Sequence, residues 1–474
     1  AKFLFEREKT FHFTVESLNK LLTKKSTSKI ALATIYNTVH AFKTAGHLSE
    51  VEVRGNKTYF DTNVSNHHHF YDNETSELID IDAFTKQGKK LSFDTRDNLI
   101  DKNVSEINKL KVKNFFTYKS WSQESYNSQN LLYPSAVQID KILGAKNGNF
   151  LNILNFRDKI ISIDKKSAIT IYDLNLKTIK KNKIYKRKIY KNYNLEFNLG
   201  IKNNKLLVTD NLGNIHCYNL ENLKLVWSKN LTVPFVSDIK IFKDNLYTIN
   251  SNSKIFSINI DSGKINWSYE TASKEIKDKK SYQIAIFNNN LFFTNDHGEI
   301  YCIDLNKNDI AWSKNLKLQK LINQPLNFVS SKINIDKAGI LYLSSNYGYT
   351  YAINHISGET IWSIPIILSK PIFLSSDKLI SFYDNRIIII NKNSGKILFN
   401  QKIYLPDNKI LFSINSFLLG KKYIYFFTNT NLLIRVDYND LNSISYEKIA
   451  KNFKNYLILK NNLYILFSNA IIKY

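Results

Sequence analysis

Ile258-Asn259-Ile260-Asp261-Ser262-Gly263-Lys264-Ile265-Asn266-Trp267 reads as strand, tight turn, strand. Asp261-Ser262-Gly263 supplies the turn, because Gly tolerates positive φ and Asp bonds back to its own backbone. Trp267 is a large apolar anchor at the start of the outgoing strand. The same ten-residue frame returns at 218–227, 303–312 and 353–362, each ending in Trp (Trp227, Trp312, Trp362). At 390–399 the Ser-Gly turn is kept and Phe399 replaces Trp; degenerate copies lie at 172–181 and 436–445. The period is therefore about 40–50 residues, which is that of a propeller blade. Paired helices share this period, but their apolar residues would recur at three and four. Here they come in short β runs such as Leu291-Phe292-Phe293-Thr294 and Leu341-Tyr342-Leu343-Ser344.

The expected fold is mainly β: an eight-bladed propeller over 113–474, preceded by a small, incomplete α+β domain over 1–82 and a junction over 83–112. Seven frames are complete, and Leu463-Tyr464-Ile465-Leu466 begins an eighth. An open blade would leave strand edges unpaired. The missing outer strand is expected from the segment around Phe115 to Trp121, which would join the two ends of the ring.

Composition narrows the rest. The chain has 474 residues, 43% of them apolar, enough for a packed core. No run approaches the ~18 consecutive apolar residues of a membrane-spanning helix. The chain opens on Ala and holds no Met, so its natural start is expected upstream. The net charge is +25, but residues 1–90 carry 13 Lys/Arg against 11 Asp/Glu. The excess is spread through Lys- and Asn-rich turns of the repeats, which suits a solvated surface. The one basic run that stands out is Lys180 to Lys191. Cys217 and Cys302 each precede a repeat frame, where other copies have Ser257 and Ala352. They read as small buried strand residues, too far apart for a disulfide.

The first 82 residues differ in character. Thr14 caps a helix to about Thr23, with Glu16 in its first turn and Val15, Leu18, Leu21 and Leu22 on its apolar face. A second helix runs from Leu32 to Ala45 and stops at Gly46. Ile35, Val39 and Phe42 form its buried stripe, while Thr34, Tyr36, Asn37 and His40 lie off it. Leu48 to Val53, the turn Arg54-Gly55-Asn56, and Lys57 to Asp61 make a hairpin. Helix, turn, helix, hairpin is a winged helix whose second helix would enter the DNA major groove.

These residues carry a resemblance. Ala33-Thr34-Ile35-Tyr36-Asn37-Thr38-Val39, Ala45-Gly46-His47-Leu48, Lys57-Thr58-Tyr59-Phe60-Asp61-Thr62-Asn63 and His67-His68-His69-Phe70 resemble the ferric uptake regulator family, and its iron response regulator branch best. The resemblance implies metal- or haem-responsive transcriptional repression. Tyr36 would touch bases, Thr34 and Lys57 would contact phosphates, and Asn37 shares their face. Ala31 stands where the family usually has a Ser cap, and the paired cysteines after the histidines are absent. The family's first helix and its α/β dimerisation domain are also missing, which leaves half of a dimeric reader.

On a strand, His67 and His69 share one face while His68 points away. The bland reading of three consecutive histidines is a solvated strand end. By the family fold, His12 and Asp61 would join His67 and His69 in a site for Zn, Fe or Mn. His68 is a candidate for haem or for solvation.

Ser120-Trp121-Ser122-Gln123, together with the repeats, resembles the quinoprotein-like (PQQ-like) propellers, among them the lipoprotein subunit of the outer-membrane β-barrel assembly machine. That resemblance implies a non-catalytic scaffold with protein partners in outer-membrane assembly. The alternative within the same fold is a quinoprotein dehydrogenase, with a catalytic Asp and calcium ligands. No such cluster can be told from the turn residues, so neither enzyme activity nor bound PQQ is expected. The two halves disagree on location: a DNA reader works in the cytoplasm, the propeller's likeness is periplasmic. A cytoplasmic repressor with a propeller sensor, a periplasmic scaffold with a vestigial module, and two joined genes all remain open.

Overall fold

The computed structural model describes residues 2–6, 10–25, 30–53, 57–64, 68–72, 77–81, 103–107, 109–112, 114–187, 193–272, 279–316, 328–373, 377–405, 412–449 and 453–474. Contacts divide the chain into two units, 1–93 and 94–474.

In the first unit, helix Val15–Lys25 begins at Thr14. The Thr14 hydroxyl accepts the Ser17 amide at 3.2 Å, and the Ser17 hydroxyl accepts the Thr14 amide at 2.9 Å. This reciprocal pair satisfies two donors that the first helical turn leaves open. Helix Leu32–Thr44 follows, with Ile35 and Val39 buried. They pack with Val15, Leu18, Leu48 and Phe60 in one small core. Gly46 takes φ +75° just beyond the helix, where a side chain would be strained. Strands His12–Phe13, Lys57–Asp61 and Ser49–Val53 form a three-stranded sheet in that order. A separate hairpin pairs His68–Asp72 with Glu77–Ile81. The expected turn at 54–56 lies outside the described residues.

Among the described residues, the second unit holds eight four-stranded antiparallel sheets, one of which gains a fifth strand. Seven are continuous in sequence: 150–183, 197–230, 240–270, 284–315, 334–364, 369–402 and 414–448 (blades 1 to 7). The eighth is 453–473, completed by Gly144–Asn147. First strands touch first strands of neighbouring sheets, and Phe453–Leu459 touches Phe150–Phe156, so the ring closes with first strands innermost.

The repeat frame is the seam between blades. In blades 2, 4 and 5 a Trp indole N–H reaches a carbonyl in the next blade's turn. Trp227 reaches Ile260 at 2.9 Å, Trp312 reaches His355 at 3.0 Å, and Trp362 reaches Lys392 at 2.8 Å. The turn glycine lies flat against the same ring. A Cβ on Gly263, Gly358 or Gly395 would stand 2.7–2.8 Å from the indole. These glycines also hold φ of +69° to +72°, so two independent reasons exclude other residues. Trp267 and Phe399 keep the position; beside Trp267, the next turn has Asn308 at φ +56° instead of Gly. Opposite each anchor, across the hairpin, sits Cys217, Ser257, Cys302, Ala352 or Ile389, at a register shift. The cysteines are thus core residues under a large ring. Both are free and fully buried, and burial pushes their thiols up to about 11 (Cys217) and about 12 (Cys302).

One expectation is overturned. The strand that completes blade 8 is Gly144–Asn147, paired with Ala470–Lys473, and not the segment around Phe115 to Trp121. Phe116, Tyr118, Trp121 and Tyr126 are too bulky and too apolar for an outer edge. They pack edge to face or tilted against one another with ring centroids 4.7–5.7 Å apart, and Tyr118 and Trp121 are buried in the core shared by blades 1, 2, 7 and 8. Within the span read as a junction, Val104–Ser105 pairs with Asn400 and Phe399 as the fifth strand of blade 6. Leu110 is buried against blades 6 and 7. Residues 83–102 lie outside the described residues.

If glycine is required at the seam for both reasons, Gly358→Ala should lower the propeller's melting temperature, at a cost of more than about 1 kcal/mol. Circular dichroism melts of both proteins test this; an unchanged midpoint would show the seam to be tolerant.

Candidate functional site

Two regions bring chemistry together, one in each unit. In the first, His12 and Asp61 stand directly opposite each other on neighbouring strands. His12 Nε2 lies 3.5 Å from Asp61 Oδ2, and both side chains are buried. Asp61 Oδ1 accepts the Asn63 amide at 2.8 Å, which fixes the carboxylate. Strand Glu77–Ile81 runs beside His12–Phe13, and His69 pairs with Asp80 across that hairpin. The hairpin therefore returns toward His12, as the metal-site reading requires. His67, and the side chains of His68 and His69, lie outside the described residues. Among the described residues no three His, Cys, Asp or Glu side chains converge.

Helix Leu32–Thr44 exposes Thr34, Tyr36 and Asn37 on the face opposite Ile35 and Val39. Tyr36 is 51% exposed, and its ring packs on His40 at 4.4 Å. Lys57 opens the strand Lys57–Asp61. Ala31 makes no side-chain cap at the start of this helix. A groove of about 1020 Å³ runs past Tyr36, His40, His12, Phe60 and Leu78.

The second region lies on the propeller axis and was not read from the sequence. Residues 118–137 form a strap across the ends of the innermost strands. The carbonyls of Trp121, Ser122, Ser128 and Gln129 accept the amides of Asn155, Ile201, Ile286 and Ile335 at 2.7–3.1 Å. The Gln123 side chain accepts the Ile241 amide at 3.1 Å. Tyr118 O accepts the Lys460 amide at 3.0 Å, and the Ser135 amide donates to Leu419 O at 2.9 Å. Seven of the eight blades are stitched in this way. Innermost strands have a free edge toward the axis, and the strap pairs it.

Charge gathers beneath the strap. Lys240, fully buried, donates to Glu124 O at 2.8 Å, to Asn130 Oδ1 at 2.5 Å and to Asn127 O at 3.4 Å. Asn130 in turn donates to the carbonyls of Ile284 and Ile333. Lys332 lies 3.0 Å from Glu124 and 2.7 Å from Asp238. Blades 3 and 5 are not neighbours, so the Lys332–Asp238 pair must reach across axial space. Burial alone would raise the Asp238 carboxyl, but Lys332 and Lys240 outweigh it and hold it far below the usual range. Burial, and then Asp238, push Glu124 up. Burial pulls Lys240 and Lys370 down to about 8. Lys332 is shifted up instead, because its two carboxylates overcome the burial penalty.

A third cluster has the residue types of a nucleophilic triad. Ser228 Oγ is 2.8 Å from His216 Nδ1, and His216 Nε2 is 3.9 Å from Asp210 Oδ2. The Tyr185 hydroxyl intervenes, 3.3 Å from the imidazole and donating to Asp210. Asp210 Oδ1 is held by the turn amides of Leu212 and Asn214. A triad's carboxylate must take the imidazole N–H directly, and here it serves the turn and the tyrosine. The same arrangement joins Tyr282 to Asp296 and Ser253. It is a seam device, and burial lowers the His216 pKa accordingly.

With this geometry in view, the comparisons with known proteins separate along the chain. Residues 3–107 match the ferric uptake regulator family. Residues 194–401 match a family described as outer membrane protein assembly factor BamB. No curated protein matches the chain. Among solved structures, BamB from Moraxella catarrhalis is similar with a TM-score of 0.58 and 14% identity, covering 71% of this chain and 99% of that one. The quinohemoprotein alcohol dehydrogenase of Comamonas testosteroni is similar at TM-score 0.54 and 8% identity, over 76% and 81% of the two chains. A europium-containing methanol dehydrogenase gives 0.53 and 10%, over 73% and 89%. The fold is a PQQ-like propeller, preceded by a regulator-type α+β module. It is shared by binding proteins and by dehydrogenases.

Two outcomes follow. Ala31→Ser should stabilise helix Leu32–Thr44 by about 1 kcal/mol, seen as slower amide exchange at Thr34 and Ile35. On the axis, the sign is set by the depressed lysines. Between about pH 8 and the ordinary lysine value of 10.5, the unfolded chain binds more protons at Lys240 and Lys370 than the folded chain. These two groups therefore make stability rise with pH across that window. The buried thiols of Cys217 and Cys302 oppose this from about pH 9, and Lys332 and the buried tyrosines from about pH 10 upward. Denaturant melts at about pH 7.5 and 8.5, below the thiol window, should show the rise, and a smaller one in Lys370→Met.

Proposed function

We propose that the propeller is a non-catalytic scaffold that holds protein partners in outer-membrane protein assembly, joined to a metal-responsive DNA-reading module. The observation that carries the first half is the strap. Binding and catalytic groups of closed β folds gather at the axial mouth. Here the chain's own residues 118–137 fill one mouth, and its polar groups are spent on stitching blades. The match of 194–401 to an outer-membrane assembly factor supports the same reading.

In the first unit, His12 and Asp61 fit a borderline metal: a buried imidazole and a fixed carboxylate, 3.5 Å apart. His67 and His69 would complete the set. Bound there, the ion would tie the hairpin 68–81 to the strand that precedes the helix pair. Tyr36 and Asn37 would read bases, and Thr34 and Lys57 would hold phosphates.

Photo-crosslinkers placed at Ile356 and Tyr404, 72% and 65% exposed, test the scaffold in the source cells. Adducts with outer-membrane assembly components are expected; adducts with cytoplasmic proteins alone would overturn the reading. The purified chain, supplied with PQQ, calcium and a primary alcohol, should not reduce an electron-accepting dye. For the reader, Lys57→Ala should weaken DNA binding evenly across sequences and reduce the salt slope by about 1. His12→Ala should lower zinc content after dialysis.

A further inference from the structure

The residue three positions before each stitched residue is polar in six blades: Asn152, Asn198, Asp238, Gln283, Lys332 and Ser416. The Lys332–Asp238 pair places this level on the axis. In blade 6 the position is supplied by Lys370, and by an unusual route. The pairing shifts register between Ser369 and Ile372, and Lys370 takes φ +44°, a left-handed conformation that a lysine adopts at a cost. The bulge delivers its ammonium to Ser416 Oγ at 3.2 Å.

The three axial lysines differ in what they meet. Lys240 has three acceptors, and Lys332 has two carboxylates. For Lys370, Ser416 Oγ is the hydrogen-bond acceptor among the described residues, and no carboxylate oxygen there lies within ion-pair distance. An ammonium has three donors, and Lys370, which is half-buried, uses one of them on Ser416. Lys332, Glu124 and Asp238 face it from the other elements. Lys240, Lys332 and Lys370 face two carboxylates, Glu124 and Asp238. With both carboxylates ionised one positive charge is left over, which suits a single negative charge.

We propose that the propeller axis holds a carboxylate-binding subsite, in which Lys370 and Ser416 take a singly charged carboxylate group. The inference does not rest on the scaffold reading. The site needs the protonated amine, so it operates below about pH 8 and is lost above. Burial sets that limit first, with Lys332 lowering it further and Glu124 and Asp238 raising it; Ser416 does not titrate.

Sodium acetate, titrated into the full-length chain at constant ionic strength against sodium chloride, tests the subsite. At pH 7 the melting temperature should rise saturably, by roughly 2 °C or more. At pH 9.5 the rise should vanish. Lys370→Met should melt as a folded protein and show no acetate effect. Lys370→Arg keeps its charge, so its acetate response should persist at pH 9.5. An equal response in Lys370→Met, a flat response in the native chain, or loss of the Lys370→Arg response at pH 9.5 would each overturn the proposal. A larger effect of inorganic phosphate than of acetate would overturn the assignment to a carboxylate. If Lys370→Met does not fold, the native and Lys370→Arg arms decide the question alone.

Discussion

Everything in the larger unit depends on a blade being unable to cover its own face. Each four-stranded sheet is apolar on both sides, and only the next blade can bury that surface. The tryptophan at the start of the outer strand makes this specific. Its ring covers the neighbour's turn glycine and its N–H donates to a carbonyl of that turn. The seam thus fixes both the distance between blades and their relative register. The cross-strand residue beneath the ring is small in four of the five complete frames for the same reason. The ring closes because the last blade borrows Gly144–Asn147 from the other end of the repeat region.

The propeller was legible because its period is covalent. Turn, anchor and β run recur in fixed order, and each is a local signal. The winged helix was legible for a different reason: Thr14, Gly46 and the stripe Ile35, Val39 and Phe42 act within a few residues of one another. What could not be read was long-range. The segment 115–121 looks like any strand of alternating aromatics. Only the finished ring shows that its rings belong in the core near the axis, while an unremarkable Gly-Ala-Lys-Asn makes the closing edge. The axial lysines were equally hidden. Lys240, Lys332 and Lys370 are indistinguishable in sequence from the dozens of solvated lysines around them. A bulge at Lys370 and a cross-ring pair at Lys332 exist only in three dimensions. The His12–Asp61 pairing was anticipated from the family resemblance, and strand register places the two residues opposite each other.

The two regions also differ in how they use buried charge. In the first unit a carboxylate is fixed by a turn amide and faces an imidazole, an arrangement whose charge can change with pH or with a bound cation. On the axis, five ionisable groups share a small space, contributed by the strap and by blades 3, 5 and 6. Breaking one pair would leave another charge uncompensated, so the network helps specify how the strap lies across the ring.

The strap has a consequence for how the molecule comes into being. It leaves the ribosome before every blade that it contacts. Its partners in sequence lie up to about 340 residues downstream, so its hydrogen bonds to blades 7 and 8 cannot form until synthesis is almost complete. In the interval Phe116, Tyr118, Trp121 and Tyr126 have no core to enter, and an aromatic run of this kind invites misassociation. Such distant contacts also make for slow maturation. The strap's contacts with blades 7 and 8 therefore come after those blades are made. A chain interrupted before its final blade would carry its most adhesive segment exposed.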